Sequence, residues 1–219
     1  MSSGLIVASD LEGTLSSGET WKAMATYLER DGKSRTYRNF FNARFPRALL
    51  AQVGIINKRG FQNLWIEELI GLFAGQTLEE FRAVGEWVVE HHLWPQRKPQ
   101  VTAELEKYKL EGARLILVSG TYQPVLEAFA VRLNAEAIGS PLEVMNGTLT
   151  GRLAGPINVG AQKVSSLKAL GITSLEAAFG DTLPDAAMLE MARKPVVIPT
   201  DKKLEQLALE RGWRVLPTR

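Results

Sequence analysis

The sequence of 219 residues contains no cysteine and only two histidines. The absence of cysteine excludes disulfides, thiol catalysis and thiolate metal sites, and it is typical of a reducing compartment. No apolar run approaches the roughly 18 residues that a membrane span needs, and no signal-peptide pattern opens the chain. The net charge is only +2, which gives no general reason to expect nucleic acid as a partner. The hydrophobic content of 45% supports a sizeable core, so we expect a soluble, cytoplasmic protein.

The first recognisable element is a short apolar stretch that ends in acids. Residues 5–8 are apolar and include two β-branched residues, which predicts a strand buried on both faces of a parallel sheet. Asp10 and Glu12 follow directly, at the carboxyl end of the strand, where α/β sheets place their ligand sites. An acid that ends a strand also serves as a simple turn former, so this stretch alone leaves both interpretations open.

A long helical segment follows this strand. Apolar residues recur at helical spacing over residues 21–28, and a second helix is expected to end at Pro46. Thr77, with Glu80 three residues later, forms a capping-box pattern that predicts a further helix. Residues 17–93 are therefore predicted to form an all-helical insertion.

After residue 93 the pattern alternates between helices and strands. Such alternation predicts a doubly wound domain with a parallel sheet. Asn146 and Gly147 lie between two strand-like runs and indicate a β-hairpin, because both residues tolerate positive φ. We therefore predict an α/β, Rossmann-like doubly wound core domain from residues 1–16 and 94–219, with the helical insertion as a cap domain and a small β-hairpin.

Polar residues recur at comparable places later in the chain. They are Ser119, Gly120 and Thr121 after an apolar run, Lys163 in a predicted helix, and Asp181 and Asp185 in the segment G-D-T-L-P-D. Taken singly, each has an ordinary structural interpretation, such as a capping serine, a solvated lysine or acids at a helix N-terminus. Lys168 is a second, weaker choice for the lysine. Together with D-L-E-G-T at Asp10, these segments resemble the four signature motifs of the haloacid dehalogenase superfamily of phosphohydrolases.

The resemblance implies a magnesium-dependent phosphomonoester hydrolase, and the position of the helical insertion resembles the subfamily that includes phosphoserine phosphatase. Asp10 matches the nucleophile, which forms an aspartyl-phosphate. Glu12 matches the general acid and base, at a position where most members have aspartate. The residues implied to hold the phosphoryl group are Ser119, Gly120, Thr121 and Lys163.

The resemblance also implies a metal site. Mg²⁺ prefers octahedral oxygen ligands. The implied ligands are the carboxylates of Asp10 and Asp181 and the backbone carbonyl of Glu12. Asp185 is expected to act on the metal only through water or through another ligand.

One residue bears on the substrate. Glu19 matches the glutamate that binds the substrate amino group in phosphoserine phosphatases, although an acid at a helix N-terminus needs no ligand. Those enzymes also use a cap arginine for the substrate carboxylate, and its place falls near the apolar Leu69. Arg44 and Arg59 are substitutes out of register. We therefore expect a small phosphomonoester with a polar or cationic group near the ester, with phosphoserine as the leading candidate.

Two other functions stay open. The same site would also serve a phosphotransferase that uses an alcohol in place of water. A binding module without turnover would instead use the basic part of the cap, since residues 30–59 carry eight Lys or Arg and one acid. The presence of every charged catalytic position argues against the binding module, so neither nucleic acid nor a membrane is expected as a partner. His91 and His92 are interpreted as structural, and the sequence does not give the oligomeric state.

Overall fold

The computed structural model of the protein describes residues 4–53, 55 and 58–217. Its strands are β1 (Ile6–Ser9), β2 (Arg114–Tyr122), β3 (Glu136–Ser140), β4 (Leu142–Met145), β5 (Thr148–Leu153), β6 (Leu175–Gly180), β7 (Ala192–Val197) and β8 (Arg214–Val215). Six of them form a parallel sheet in the order β3-β2-β1-β6-β7-β8, and β4 pairs with β5 as an antiparallel hairpin. The predicted parallel, doubly wound sheet is confirmed.

The helices account for most of the remaining described chain. They are α1 (Thr20–Arg30), α2 (Ser34–Gln52), α3 (Lys58–Leu69), α4 (Leu78–Val88), α5 (Pro99–Leu110), α6 (Gln123–Val131), α7 (Ala161–Ala169), α8 (Ala186–Leu189) and α9 (Lys202–Arg211). Short 3₁₀ turns span Ile70–Phe73 and Leu183–Asp185, and a π turn spans Val89–Leu93. Among the described helices, none combines the length and the apolar content needed to cross a membrane.

Separate apolar clusters cover the two faces of the sheet. Val7 and Leu117 belong to a large cluster that continues into the helical insertion through residues such as Phe81. Their neighbours along the strands, Ala8 and Ile116, point to the opposite face and pack with α7, α8 and α9. Each fully buried leucine or phenylalanine contributes about 1.5–3 kcal/mol. The core therefore holds the insertion and the sheet together.

Two local patterns in the sequence predict the structure correctly. Thr77 Oγ1 accepts a hydrogen bond from the Glu80 amide at 3.1 Å, and Glu80 Oε2 accepts one from the Thr77 amide at 2.7 Å. The predicted capping box is thus confirmed at the start of α4. In the hairpin, Asn146 and Gly147 have φ angles of 51° and 80°, as a tight turn between β4 and β5 requires.

The prediction for Pro46 is wrong, because α2 continues through it for six more residues. A proline inside a helix costs about 3 kcal/mol. Packing on both sides of the proline offsets this cost. Before it, the ring of Phe40 lies 5.1 Å from the ring of Trp65 in α3, and after it Ala51 is buried.

The chain enters and leaves the helical insertion through adjacent backbone segments. The Ser17 amide donates to the Gln96 carbonyl at 3.0 Å, and the Lys98 amide donates to the Leu15 carbonyl at 2.7 Å. These bonds bring the two connections together at one place on the sheet edge. The division into two domains at residues 17–93 remains a prediction.

Candidate active site

The candidate site lies where the carboxyl ends of β1, β2 and β6 meet. Strand β1 lies between β2 and β6, so the chain order reverses across it, and such switch points are the usual ligand sites of doubly wound sheets. Asp10 follows β1, and its amide donates to the Phe179 carbonyl of β6 at 3.0 Å. Asp181 follows β6. The register of β2 against β3 becomes irregular after Val118, which places Ser119 in the irregular end of β2.

Lys163 joins two of the predicted acids. It lies in the first turn of α7 and is only 3% exposed. Its Nζ donates to Oδ1 of Asp10 and to Oδ1 of Asp185, each at 2.6 Å. Lys163 therefore fixes one oxygen of the Asp10 carboxylate, and the backbone amide of Leu11 also donates to this carboxylate.

The pKa values of Lys163, Asp10 and Asp185 depend on one another. Burial alone lowers the pKa of Lys163, but the attraction of Asp10 and Asp185 outweighs it, so the pKa of the lysine lies above its ordinary value. Burial raises the pKa of Asp10, and the lysine offsets part of that rise. Burial also opposes ionisation of Asp185, but Lys163 and the amides of Asp181 and Thr182 outweigh it and hold the pKa of Asp185 below its ordinary value. The geometry thus favours an ammonium between carboxylates.

Two threonines hold Asp181. Thr14 Oγ1 donates to its Oδ1 at 3.0 Å, and Thr200 Oγ1 donates to its Oδ2 at 2.6 Å. Gly13, with a φ of 84°, lies so close that a Cβ there would overlap the Asp181 carboxylate. Burial, followed by the charge of Asp10, raises the pKa of Asp181 to about 7. This carboxylate is therefore crowded into the site, and the partly buried Lys98 lies close enough to interact with its charge.

The donor set fits a hard metal ion. Asp10, Asp181 and Asp185 are all buried and offer carboxylate oxygens that lie within 4.8 Å of one another. Oxygen-only donors suit Mg²⁺. Among the described residues, Lys163 pairs with Asp10 and Asp185 and the partly buried Lys98 interacts with Asp181, so the three carboxylates still outnumber the cations and favour a further positive charge. Asp185 is the least suited as a direct ligand, because its Oδ1 accepts from the lysine and its Oδ2 accepts from Asp181 and Thr182.

Glu12 reaches towards the helical insertion. Its Oε1 accepts from the Thr20 amide, at the start of α1, at 3.1 Å and from Thr121 Oγ1 at 3.2 Å. Burial raises the pKa of Glu12, and the hydrogen bonds from Thr20 and Thr121 oppose that rise. A carboxyl group with a raised pKa holds a proton more readily than an exposed glutamate.

The residues predicted to hold phosphate lie at the same edge. Ser119 and Thr121 are buried, and their hydroxyl oxygens are 3.3 Å apart. Gly120 is also closely packed, since a Cβ there would lie 2.7 Å from the Val159 side chain. The contact between Thr121 and Glu12 brings this segment beside the segment that follows β1.

Glu19 immediately precedes α1 and pairs with Lys22. It makes no side-chain capping bond, and its place at the N-terminus of α1 agrees both with a favourable interaction with the helix macrodipole and with substrate binding. Leu69 is buried, as its apolar setting predicts. Arg44 pairs with Glu68, and the side chain of Arg59 lies outside the described part of the chain.

Three further residues lie at the site, although sequence patterns do not predict them there. Thr14 is part of the segment D-L-E-G-T, but its contact with Asp181 is not evident from that pattern. Thr200 follows the carboxyl end of β7, which is the same signal that identified the other site residues. Lys98 gives no such signal, yet its Nζ donates to the Gly13 carbonyl. It belongs to the returning connection of the insertion.

The alternative candidates for site residues, Lys168, His91 and His92, do not contact Asp10, Asp181 or Asp185 in the described part of the chain. Lys168 is exposed on α7. The His91 ring stacks on Trp87 with ring centres 4.7 Å apart, and the ring of His92 also lies against Trp87. These contacts agree with a structural role for both histidines.

Comparisons with known proteins agree with the architecture. Residues 7–190 match the family model described as haloacid dehalogenase-like hydrolase. A phosphoserine phosphatase of Mycobacterium tuberculosis is 27% identical, over 94% of this chain and 68% of the relative. A histidinol-phosphatase of Neisseria meningitidis is 24% identical, over 94% of this chain and 96% of the relative. A Bordetella pertussis structure of unknown function shares the fold, with a TM-score of 0.78, 21% identity and coverage of 97% and 98% of the two chains. The chain therefore belongs to the haloacid dehalogenase-like hydrolase family and is similar to its phosphatases.

Proposed function

We propose that this chain is a magnesium-dependent phosphomonoester hydrolase that forms an aspartyl-phosphate at Asp10. The observation that carries the proposal is the buried ion pair of Lys163 with Asp10 and Asp185, next to Asp181, at the switch point of the sheet. The test is hydrolysis of p-nitrophenyl phosphate with Mg²⁺ and with excess chelator. Hydrolysis only with the metal supports the proposal, and absence of hydrolysis under both conditions contradicts it.

The reaction proceeds in two balanced steps. Oδ2 of Asp10 attacks phosphorus, the bond from phosphorus to the ester oxygen breaks, and Glu12 gives a proton to the departing alcohol. Water then attacks phosphorus, Glu12 takes one of its protons, and the bond between phosphorus and Oδ2 of Asp10 breaks, which releases inorganic phosphate and restores the Asp10 carboxylate. Lys163 holds Oδ1 of Asp10 throughout, so the other oxygen faces the substrate.

The remaining site residues bind and neutralise the phosphoryl group. Asp10, Asp181 and the carbonyl of Glu12 would hold Mg²⁺, which when bound offsets the charge on the phosphoryl oxygens. Asp185 supports the site by holding Lys163. The hydroxyl groups of Ser119 and Thr121 and the nearby amides are the proposed donors to phosphate, and Gly120 lets the backbone approach closely.

Glu12→Gln should slow alkyl phosphates far more than aryl phosphates. An alkoxide must be protonated as it leaves, whereas nitrophenolate leaves almost unaided. The loss of a general acid costs about 10²–10⁴-fold in rate. The measurement compares kcat for glycerol phosphate and p-nitrophenyl phosphate in both proteins.

Glu12→Asp is the matched control, because it keeps the carboxyl group. We expect it to retain the wild-type ratio of the two rates even if both rates fall. Equal slowing of the alkyl and aryl esters by Glu12→Gln would show that Glu12 serves only geometry.

The substrate is proposed to be a small alkyl phosphate with an amino group near the ester. Glu19 directly precedes Thr20, whose amide binds Glu12, so its carboxylate belongs to the segment nearest the leaving group. The names of two relatives, phosphoserine phosphatase and histidinol-phosphatase, both imply an amine-bearing alkyl phosphate. Phosphoserine stays the leading single candidate, although the buried Leu69 offers no partner for its carboxylate. A cytoplasmic location is proposed from the sequence composition.

Glu19→Gln should remove the preference for amines. The assay compares phosphoserine, phosphoethanolamine and histidinol phosphate with glycerol phosphate and sugar phosphates. A charge-assisted hydrogen bond contributes about 1.5–3 kcal/mol, so kcat/KM for amine-bearing esters should fall about 10- to 150-fold, with little change for the others. Lys22→Gln, which breaks the same ion pair from the other side, should keep the preference. If wild type prefers no amine, or if the variant keeps the preference, Glu19 has no role in recognition.

A further inference from the structure

The end of α2 exposes large apolar side chains. Five of them, here called the apolar tip, are between 39% and 70% exposed: Phe45, Leu49, Leu50, Val53 and Ile55. Scattered exposed apolar residues are ordinary, but a group on one short segment marks a contact surface. The tip is therefore a candidate contact surface.

The tip has a fixed orientation. Phe45, Leu49 and Val53 are spaced by four residues, so they lie on one face of the helix. On the other face, Phe40 and Ala51 are buried, and the Phe40 ring packs against Trp65. The buried face anchors α2, so the apolar tip points away from the core.

The stretch of sequence that contains the tip is basic. Residues 32–66 contain seven Lys or Arg and no Asp or Glu. Arg35, Arg38 and Arg47 of α2 are exposed. Arg38 lies seven residues before Phe45, hence on the same face as the tip. Arg44 is neutralised by Glu68 in α3. A partner must therefore combine apolar material with negative charge.

This combination selects among the possible partners. A second copy of the chain would bring two positive faces together, which is unfavourable. Single-stranded nucleic acid uses aromatic rings for stacking, but most of the tip is aliphatic, and the rings of Phe40 and Phe41 pack on Trp65. A bilayer with anionic lipids accepts aliphatic side chains at the boundary of its acyl chains and arginines at its phosphates.

We propose that the apolar tip and the exposed arginines of α2 dock the protein on the surface of an anionic membrane. This proposal departs from the expectation that no membrane partner exists, which followed from the presence of every charged catalytic position. Net charge conceals the site because acids elsewhere balance the basic residues of α2. The proposal is independent of the proposed hydrolysis.

The test is sedimentation of the full chain with vesicles. One preparation contains phosphatidylcholine alone, and the other contains about 30 mol% phosphatidylglycerol. We expect binding about tenfold tighter or more to the anionic vesicles, weakened in about 0.5 M NaCl. The double variant Leu49→Asp with Val53→Asp should lose binding, and Arg38→Glu with Arg47→Glu should lose the preference for anionic lipid. Leu209→Asp is the matched control, since Leu209 is 74% exposed on α9, and it should bind as wild type does.

Circular dichroism and p-nitrophenyl phosphate hydrolysis check that the variants fold. Several outcomes would overturn the proposal. One is that the wild type binds neither vesicle preparation, and another is that it binds neutral and anionic vesicles equally well. A third is that the double variant Leu49→Asp with Val53→Asp binds as tightly as the wild type. Light scattering that shows a dimer lost in the double variant would assign the tip to a second copy. Binding to a single-stranded oligonucleotide but not to vesicles would assign it to nucleic acid.

Discussion

Asp10→Asn is expected to abolish turnover while leaving the fold intact. Asparagine has nearly the same shape, but its amide is a poor nucleophile and cannot form the acyl-phosphate. It also removes a negative charge from the place where the phosphoryl group and the metal would meet. Loss of a covalent nucleophile should lower kcat by about 10⁴-fold or more. The measurement is hydrolysis of p-nitrophenyl phosphate with Mg²⁺, with urea unfolding as the check on stability.

The control for this variant is Asp31→Asn. It makes the same chemical change at an acid that pairs with Lys33 near the end of α1. We expect that control to keep wild-type kcat. Undiminished hydrolysis by Asp10→Asn would exclude the aspartyl-phosphate mechanism, and full wild-type activity in excess chelator would exclude the metal.

Lys163→Met should cause the largest loss of stability among these variants, together with loss of activity. Methionine fills a similar volume but leaves Asp10 and Asp185 buried without their shared cation. Removal of one partner from a buried ion pair costs about 3–5 kcal/mol. The free energy of unfolding is measured with urea in the presence of chelator, so that metal does not mask the loss. Lys168→Met is the control, at an exposed lysine of the same helix, and it should change the free energy of unfolding by less than about 0.5 kcal/mol.

The loss of stability caused by Lys163→Met should also depend on pH. In the wild type the folded pKa of Asp185 lies below its unfolded value, so its contribution to stability is present above the unfolded pKa of about 3.9 and is lost as the pH falls through the folded pKa. Without the lysine this contribution is absent. The difference in stability between wild type and Lys163→Met should therefore be large at pH 7 and should shrink in acid. A constant difference from pH 7 to pH 3 would contradict the assigned ion pair.

Local signals explain why much of the fold is readable from the sequence. The capping box at Thr77 and the turn at Asn146 and Gly147 depend on neighbouring residues, so short patterns contain the necessary information. The position of Asp10 follows equally from one buried strand and the acid that ends it. The prediction that α2 ends at Pro46 is wrong because α2 is held by packing such as that of Phe40 against Trp65, which lies on a different helix.

The contacts inside the site are less accessible to sequence reasoning. Thr14 and Thr200 meet at Asp181 although the two threonines are far apart in the chain. Lys98 reaches the Gly13 carbonyl from the returning connection, where no motif marks it. Such positions depend on strand order and loop geometry, which single-residue patterns do not encode.

Glu12 illustrates how one methylene changes the site. At a position where the resemblance leads us to expect aspartate, glutamate extends far enough to accept from the Thr20 amide. Its carboxylate therefore belongs both to the edge of the sheet and to the first turn of α1. A shorter acid in the same backbone would reach less far towards the insertion, so the substitution strengthens the link between the two.

The adjacent connections at Ser17 with Gln96 and at Leu15 with Lys98 have an evolutionary consequence. Since the chain leaves and returns at one place, the length of the insertion affects the pairing of β1 with β2 only through the entropy of loop closure, which grows slowly with length. An insertion with more or fewer distal helices would still return to the same point of the sheet, so this segment is the part of the gene where we expect length to vary during evolution.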